Sequence, residues 1–207
     1  MNLRFEYSDA HVVVVVKPAG LLSVPGRGPD KQDCLWHRVQ RDFPTARIVH
    51  RLDCATSGLM VLALTADSHR ELSRQFHDRE TRKRYEAIIA GRPDSNCGVI
   101  EQPLRCDWER RPLQIVDPVD GKAARTEWQL LDSDGSRSRV RLHPITGRSH
   151  QLRVHMQALG HPILGDAFYA PPEVQAMAPR LLLHAEQLGF RHPVSGEAMD
   201  FEAPAPF

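Results

Sequence analysis

The chain has 207 residues, of which 41 % are hydrophobic and 26 % are charged, as is typical of globular proteins with one sizeable core. Lys and Arg number 27 and Asp and Glu 26, so the net charge is +1 and a histone-like binder of polyanions is excluded. Any surface for nucleic acid must therefore be a local basic patch. At this length we expect a single domain over residues 1–207.

Other classes are excluded by what the sequence lacks. The longest uninterrupted aliphatic run covers residues 12–16, whereas a helix that spans a bilayer needs roughly 20 apolar residues. The N-terminus shows no secretory signal, so we expect a cytoplasmic protein that makes no membrane contact. The four cysteines form no C-x-x-C pair, and we expect neither disulfides nor a thiolate zinc site.

The first half of the chain predicts two strands and two helices. Residues 11–16 are apolar and β-branched without alternation, which predicts a strand covered on both faces, ending in a turn at residues 17–20. Residues 33–42 have apolar side chains at helical spacing, with the first residue, Asp33, available as the cap. Residues 59–64 predict another buried strand, and residues 67–79 predict a helix with a solvated basic face.

The second half predicts mainly strands. Residues 84–90 place Tyr85, Ala87 and Ile89 on one face of a predicted strand, and further strands are expected at residues 126–131 and 138–143. Residues 146–149 can cap a helix over residues 150–159, which Gly160 ends. The last two strands, over residues 181–190 and 198–202, are expected to form a hairpin. More strands than helices, in mixed order, predict an α+β protein.

The motifs of common cofactor sites are absent. Gly26-Arg27-Gly28 lacks the third glycine of a dinucleotide loop, and Gly121-Lys122 lacks the rest of a phosphate loop. There is no H-E-x-x-H zinc motif and no G-x-S-x-G nucleophile elbow. We therefore expect no cofactor and no metal site.

One carboxylate is placed where it can do chemistry. His50-Arg51-Leu52-Asp53 sets an acid among cations, in a loop that leads into an apolar strand. The plain alternative is a helix cap or a salt bridge that holds the loop on the core. Three more segments are notable: Arg82-Lys83-Arg84-Tyr85, the run from Gly147 to Arg153, and Leu183-His184-Ala185. Each also has an ordinary structural explanation when taken alone.

In this order and spacing, the segments resemble the pseudouridine synthases of the RluA family over nearly the whole chain. The matching segments are Lys17-Pro18-Ala19-Gly20-Leu21, His50-Arg51-Leu52-Asp53, Ala55-Thr56-Ser57-Gly58-Leu59, Lys83-Arg84-Tyr85, Ile145-Thr146-Gly147-Arg148-Ser149-His150-Gln151-Leu152-Arg153-Val154-His155 and Gly160-His161-Pro162-Ile163-Leu164-Gly165-Asp166. The resemblance implies the catalytic fold of that family, a mixed, mostly antiparallel sheet flanked by helices and loops, with a central active-site cleft. Because a strand is predicted almost at the N-terminus, we expect the chain to lack the S4-like domain that many members carry.

The resemblance also assigns roles to three residues. Asp53 corresponds to the catalytic aspartate, Tyr85 to the ring that stacks on the target base, and Arg153 to the guanidinium that pairs with the catalytic carboxylate. The reaction changes no redox state, which agrees with the expected lack of a cofactor. Whether the aspartate attacks the ribose C1′ or the uracil C6, or removes a sugar proton, stays open.

The substrate implied by the resemblance is structured RNA, namely 23S ribosomal RNA and the tRNA anticodon stem-loop. The target uridine has to be extruded from its stack, and Arg51 is expected to fill the gap or to contact a phosphate. The other expected RNA contacts are His50, Arg74, Arg79, Arg82, Lys83, Arg84 and Arg148. The alternative for the basic run is an ordinary solvated helix face. We expect a monomer.

Three alternative functions remain open at this point. The chain could act on only one of the two RNAs. It could be a non-catalytic RNA-binding module, although intact Asp53, Tyr85 and Arg153 argue against this. It could also be a carboxylate hydrolase, although no second acid is clearly paired with Asp53 in the sequence.

Overall fold

Twelve β-strands and four short α-helices form the part of the chain that the computed structural model describes, residues 3–207. The predicted α+β class is confirmed, because strands predominate and the helices are interspersed among them. The strands are β1 (Arg4–Ser8), β2 (Val12–Lys17), β3 (Arg47–Ile48), β4 (Ser57–Ala63), β5 (Arg82–Ala90), β6 (Cys97–Ile100), β7 (Leu104–Cys106), β8 (Gln114–Val116), β9 (Thr126–Ser133), β10 (Arg137–Pro144), β11 (Leu183–Arg191) and β12 (Ala198–Glu202). The helices are α1 (Leu35–Val39), α2 (Ala66–His77), α3 (Gln151–Ala158) and α4 (Pro172–Gln175).

The chain divides into two compact units. The first comprises Met1–Lys83 and Ala185–Pro206, and the second comprises Arg84–His184 with Phe207. The chain enters the second unit within β5 and leaves it within β11. The expectation of a single domain over residues 1–207 stays a prediction. Among residues 3–207, no helix is long and apolar enough to cross a membrane.

The valine strand lies at the centre of the first unit. β2 pairs antiparallel with β1 on one side and with β4 on the other. Val12, Val13, Val14 and Val15 have no exposed surface, so both faces of this strand are covered, as their unbroken apolar run predicts. Leu72 of α2 packs into the same core. The strand predicted over residues 59–64 is also confirmed, although β4 begins earlier, at Ser57.

The two helices of the first unit are shorter than their patterns predict. α1 covers five residues, and its cap is Cys34, whose Sγ accepts the backbone N–H of His37 at 3.5 Å. The prediction that Asp33 is the cap was wrong. Its carboxylate accepts two hydrogen bonds from Arg38 instead, at 2.7 and 2.6 Å. α2 is capped by the Thr65 hydroxyl and ends two residues before the predicted end.

The second unit contains an antiparallel sheet in the order β5, β10, β9 and β6, and a separate hairpin of β7 and β8. The strands predicted at residues 84–90, 126–131 and 138–143 are confirmed, each with a longer span. The short strands β6, β7 and β8 were not predicted, because each has only three or four residues and little alternation.

The side chain at the N-cap position of helix α3 does not cap the helix. His150 occupies that position with a left-handed backbone, φ 53°, and makes no side-chain cap hydrogen bond. The predicted cap within residues 146–149 was therefore wrong. The Gln151 side chain ties this segment together, since its Oε1 accepts from the Thr146 hydroxyl at 2.7 Å and from the Arg148 N–H at 3.0 Å. Gly160 follows the helix with φ 90°, as predicted.

The predicted C-terminal hairpin is confirmed. β11 and β12 pair antiparallel from Gln187 with Glu202 to Arg191 with Ala198. Gly58 of β4 lies so close to the backbone of Ala185 in β11 that a Cβ atom would overlap it. A glycine is therefore needed where the strand leaves the Asp53 loop.

Candidate active site

Asp53 lies in the loop between β3 and β4. Its side chain is half-buried, while the neighbouring Arg51 is exposed and Leu52 is buried with 8 % of its surface accessible. Leu52 is therefore buried in the core, whereas Arg51 and Asp53, on either side of it in the sequence, remain more accessible. This arrangement confirms that the charged segment sits on a loop entering the core.

Four hydrogen bonds anchor the backbone around Asp53. The Ser23 hydroxyl donates to the carbonyl of Leu52 at 2.7 Å and accepts its N–H at 3.1 Å. The Thr56 N–H donates to the Asp53 carbonyl at 3.1 Å, which closes a turn. The Gly20 N–H donates to the carbonyl of Cys54 at 2.9 Å. The backbone on both sides of the carboxylate is therefore held in place.

A buried ammonium lies beneath this loop. Lys17, at the end of β2, has no exposed surface, and its Nζ donates to the carbonyls of Leu21, Pro18 and Cys54 at 2.7, 2.9 and 3.0 Å. Burial lowers the pKa of Lys17 to about 8, against the opposing effect of negative charge at Cys54 and Asp53. The sequence analysis missed this contact, although a lysine that ends an unbroken apolar strand was the available signal.

His50 supports β4 rather than presenting itself to solvent. Its Nε2 accepts the N–H of Val61 at 3.1 Å, and its ring stacks on Phe76 with centroids 4.4 Å apart. Burial, and to a smaller degree the charge of Lys83, lowers the pKa of His50 to about 3. Its ring is therefore neutral at neutral pH, and these contacts weigh against the predicted role in RNA binding.

Two arginines predicted to contact RNA are already paired with carboxylates. Arg74 forms ion pairs with Glu71, Asp78 and Glu80 at 2.8, 3.0 and 2.6 Å, and the hydrogen bonds that it donates to Glu71 and Glu80 raise its pKa. Arg82 pairs with Asp200. The basic face of α2 is exposed to solvent, as predicted, and its arginines are also paired with carboxylates. Phosphate would have to displace these carboxylates, which weighs against both arginines as primary RNA contacts.

Three other residues of the first unit that are predicted to contact RNA remain available to do so through their positive charge. Arg51 and Arg79 are exposed, and neither takes part in an ion pair within residues 3–207. Lys83 is half-buried, and burial followed by the charge of Arg79 lowers its pKa. These three residues form part of the local basic patch that a chain with almost no net charge needs in order to bind nucleic acid.

The remaining predicted site residues belong to the second unit. Arg84 and Tyr85 are half-buried in β5, where Tyr85 is paired with Leu142 of β10. Arg148 is exposed, and its Nε donates to the carbonyl of Ala123 at 3.0 Å.

Arg153 on α3 has a carboxylate partner that the sequence analysis did not assign. Its Nε donates to Oδ2 of Asp166 at 2.8 Å and its Nη2 donates to Oδ1 at 2.6 Å. The side chains are 4 % and 0 % exposed. The predicted pairing of Arg153 with Asp53 stays a prediction. Asp166 ends the last segment that carries the family resemblance, which was the signal for a role.

An anchored aspartate on the β3–β4 loop of a mixed, mostly antiparallel α+β fold agrees with the family that the sequence resembles. The model of the RNA pseudouridylate synthase family matches residues 11–158, and the chain belongs to that family. It is a pseudouridine synthase, an isomerase that acts on RNA.

Among known proteins, the chain is similar to the dual-specificity RNA pseudouridine synthase RluA of Yersinia pestis, with 58 % identity over 203 residues. This match covers 97 % of the chain and 98 % of that protein. The RluA of Escherichia coli (strain K12) is 56 % identical over 202 residues, which cover 97 % of the chain and 92 % of that protein.

Two solved human structures confirm the predicted fold. RNA Pseudouridylate Synthase Domain Containing 1 superimposes with a TM-score of 0.83 at 30 % identity, over 100 % of this chain and 84 % of the human chain. RNA Pseudouridylate Synthase Domain Containing 4 superimposes with a TM-score of 0.78 at 28 % identity, over 98 % of this chain and 88 % of the human chain.

Proposed function

We propose that this protein converts uridines to pseudouridines in both 23S ribosomal RNA and tRNA anticodon stem-loops, with Asp53 as the catalytic carboxylate. The dual specificity named for relatives that share more than half of their residues with this chain supports the choice of substrates. The anchored loop carries the assignment of Asp53, because catalysis requires a carboxylate held in a fixed position.

The chemistry is an internal rearrangement. The bond between uracil N1 and ribose C1′ breaks, the uracil turns, and a bond forms between C5 and C1′. The C5 proton is lost to water and N1 regains a proton, so atoms and electrons balance without a redox cofactor. Asp53 acts at C1′, at C6 of uracil or on a sugar proton.

Three side chains assist this step in the proposal. Tyr85 stacks on the extruded base, and its hydroxyl can move a proton. Arg153 corresponds to the guanidinium that, in the family the chain resembles, pairs with the catalytic carboxylate. Arg51 enters the gap that the uridine leaves in the RNA, which offsets the cost of unstacking. The exposed position of Arg51, two residues before Asp53, suits that role.

Phosphate contacts come from Arg51, Arg79, Lys83, Arg84 and Arg148 in this proposal. Such contacts position the RNA without reading its sequence, and they make affinity depend on salt. The protein acts as a monomer in the cytoplasm, where its proposed RNA substrates occur.

Tritium release tests the reaction and the choice of RNA together. A ribosomal RNA hairpin and a tRNA anticodon stem-loop, each carrying uridines tritiated at C5, are incubated with the purified protein. The proposal predicts release from both RNAs and pseudouridine at one uridine of each. Release from one RNA only would leave a single-substrate enzyme, and release from neither would reject catalysis in favour of a binding module.

Arg51→Ala tests the wedge role. Loss of the wedge leaves the unstacking cost of a few kcal/mol unopposed, so the single-turnover rate should fall most on a tightly paired stem-loop. A stem-loop whose target uridine is loosened by mismatches should recover part of the rate. Arg47→Ala, which removes another exposed arginine of the same unit, is the matched control. Equal losses on the two RNAs would reject the wedge role.

A further inference from the structure

We propose that Asp166 is a positioning residue that fixes the guanidinium of Arg153 in its catalytic orientation. The inference rests on the proposed role of Arg153 in the reaction. It adds a residue for which the sequence analysis gave no role.

The contact between the two side chains is a bidentate fork. Both Asp166 oxygens are used, one for Nε and the other for Nη2 of Arg153, at 2.8 and 2.6 Å. Two parallel hydrogen bonds fix the plane of a guanidinium as well as its position, which a single bond does not. The orientation of Arg153 is therefore set from one edge by Asp166.

Asp166 is itself held by its own backbone turn. Its Oδ1 also accepts the N–H groups of Phe168 and Tyr169 at 2.9 and 3.2 Å. With no exposed surface, the carboxylate accepts four hydrogen bonds in all. The fork is thus rigid on the carboxylate side.

The same turn brings two aromatic rings to the guanidinium. The central carbon of Arg153 lies 5.0 Å from the ring centroids of both Phe168 and Tyr169, within the range of a cation–π contact. The Tyr169 hydroxyl accepts the N–H of Gln114 at 2.9 Å and lies 2.6 Å from Nδ1 of His150. Residues 166–169 thus enclose Arg153 with one acid and two rings.

Stability alone is a weak reason for this arrangement. A buried ion pair must repay the desolvation of two charges, and apolar replacements are often as stable. What a buried fork supplies is a fixed geometry. A misplacement of about 1 Å can cost a catalytic group about a hundredfold in rate.

Asp166→Asn is the decisive variant, because it keeps the size and one acceptor oxygen but removes the charge and the symmetric fork. Single-turnover rates are measured with enzyme in excess over stem-loop RNA, so that changes in affinity do not enter the rate. We expect a loss of about a hundredfold, with RNA affinity changed by less than about threefold. Thermal melting reports whether the variant is folded.

Asp33→Asn is the matched control. Asp33 makes the same fork with Arg38, at 2.7 and 2.6 Å, but its side chain is 62 % exposed in the first unit. The same substitution there should leave the single-turnover rate unchanged. Asp166→Glu is the second variant should Asp166→Asn fail to fold, since it retains the charge but displaces the guanidinium, and it should also be slow.

A double-mutant cycle with Arg153→Lys separates positioning from an independent role. If Asp166 acts through Arg153, the variant with both changes should be no slower than Arg153→Lys alone. Multiplying losses, or a wild-type rate in folded Asp166→Asn, would overturn the proposal. A wild-type rate in Arg153→Lys would reject the role of Arg153 and the role of Asp166 with it. Absence of tritium release by the unmodified protein would instead reject the proposed function.

Discussion

Replacing the buried lysine beneath the Asp53 loop should change how the stability of the protein depends on pH. Lys17→Met keeps a long unbranched side chain but removes the ammonium that donates to three carbonyls. It also removes a buried group whose pKa is about 8 in the folded protein, compared with 10.5 as its ordinary value.

The magnitude follows from this difference in pKa. One pKa unit corresponds to about 1.4 kcal/mol, so protonated Lys17 lowers the free energy of unfolding by about 3 kcal/mol relative to its neutral form. Between pH 8 and 10.5 the unfolded chain binds the proton more tightly than the folded chain does. The stability of the unmodified protein should therefore rise with pH across this window, and this contribution is missing from the variant.

Urea unfolding at pH 7, 8, 9 and 10 measures the effect as a difference between the two proteins. The unmodified protein should gain up to about 3 kcal/mol over Lys17→Met between the lowest and highest pH. Lys122→Met removes an exposed ammonium by the same substitution and should show no such gain. A difference that stays constant or falls with pH would refute the account of Lys17 as a buried, protonated donor.

Four further substitutions test the fold by urea unfolding. Gly58→Ala places a Cβ atom against the backbone of Ala185 at φ 122° and should lower the free energy of unfolding by about 3 kcal/mol. Its control, Gly20→Ala, has φ 81° but open space around the new Cβ, and should cost about 1 kcal/mol. Equal losses would contradict the close approach of Gly58 to Ala185. Asp9→Asn should lower the free energy of unfolding at pH 7 and lose this effect as pH falls below 3.8. The reason is that hydrogen bonds lower the pKa of Asp9 below that value, although burial opposes ionisation. An effect that persists in acid would contradict this. His50→Leu leaves an N–H of β4 unpaired and should lower the free energy of unfolding by about 1–3 kcal/mol at pH 7. Because the pKa of His50 is lowered in the folded protein, acid destabilises the unmodified protein, so the difference between the two proteins should shrink as pH falls from 6.5 towards 3. A difference that stays constant would contradict that pKa.

The sequence predicts the strands better than the ends of the helices. A run of five valines predicts a covered strand, and the residue pattern over 84–90 predicts β5, although residues 86–89 are buried on both faces of that strand. Helix boundaries depend on single hydrogen bonds that a pattern does not reveal. Asp33 has the right chemistry for a cap, but Arg38 takes both of its oxygens, and the weaker acceptor Cys34 caps the helix instead.

For the site, the sequence identifies the charged residues but not their partners. The resemblance singles out Asp53 and Arg153, yet the fork with Asp166 joins residues 13 positions apart and follows from the turn after α3. Arg74 is different, because its partners Glu71 and Asp78 stand at i,i+3 and i,i+4 spacing, so the sequence did contain the signal for these pairs. The fork between Arg153 and Asp166 depends instead on the turn after α3, which local periodicity does not encode.

Asp53→Asn is the change that most directly tests the central claim, that this isomerase works through the carboxylate of Asp53. The substitution keeps the size of the side chain and the backbone bonds of the loop but removes the negative charge. Single-turnover release of C5 tritium from a tRNA stem-loop should be abolished, while thermal melting and RNA affinity remain those of the unmodified protein. Tritium release above the uncatalysed background by a folded, RNA-binding Asp53→Asn protein would contradict the account.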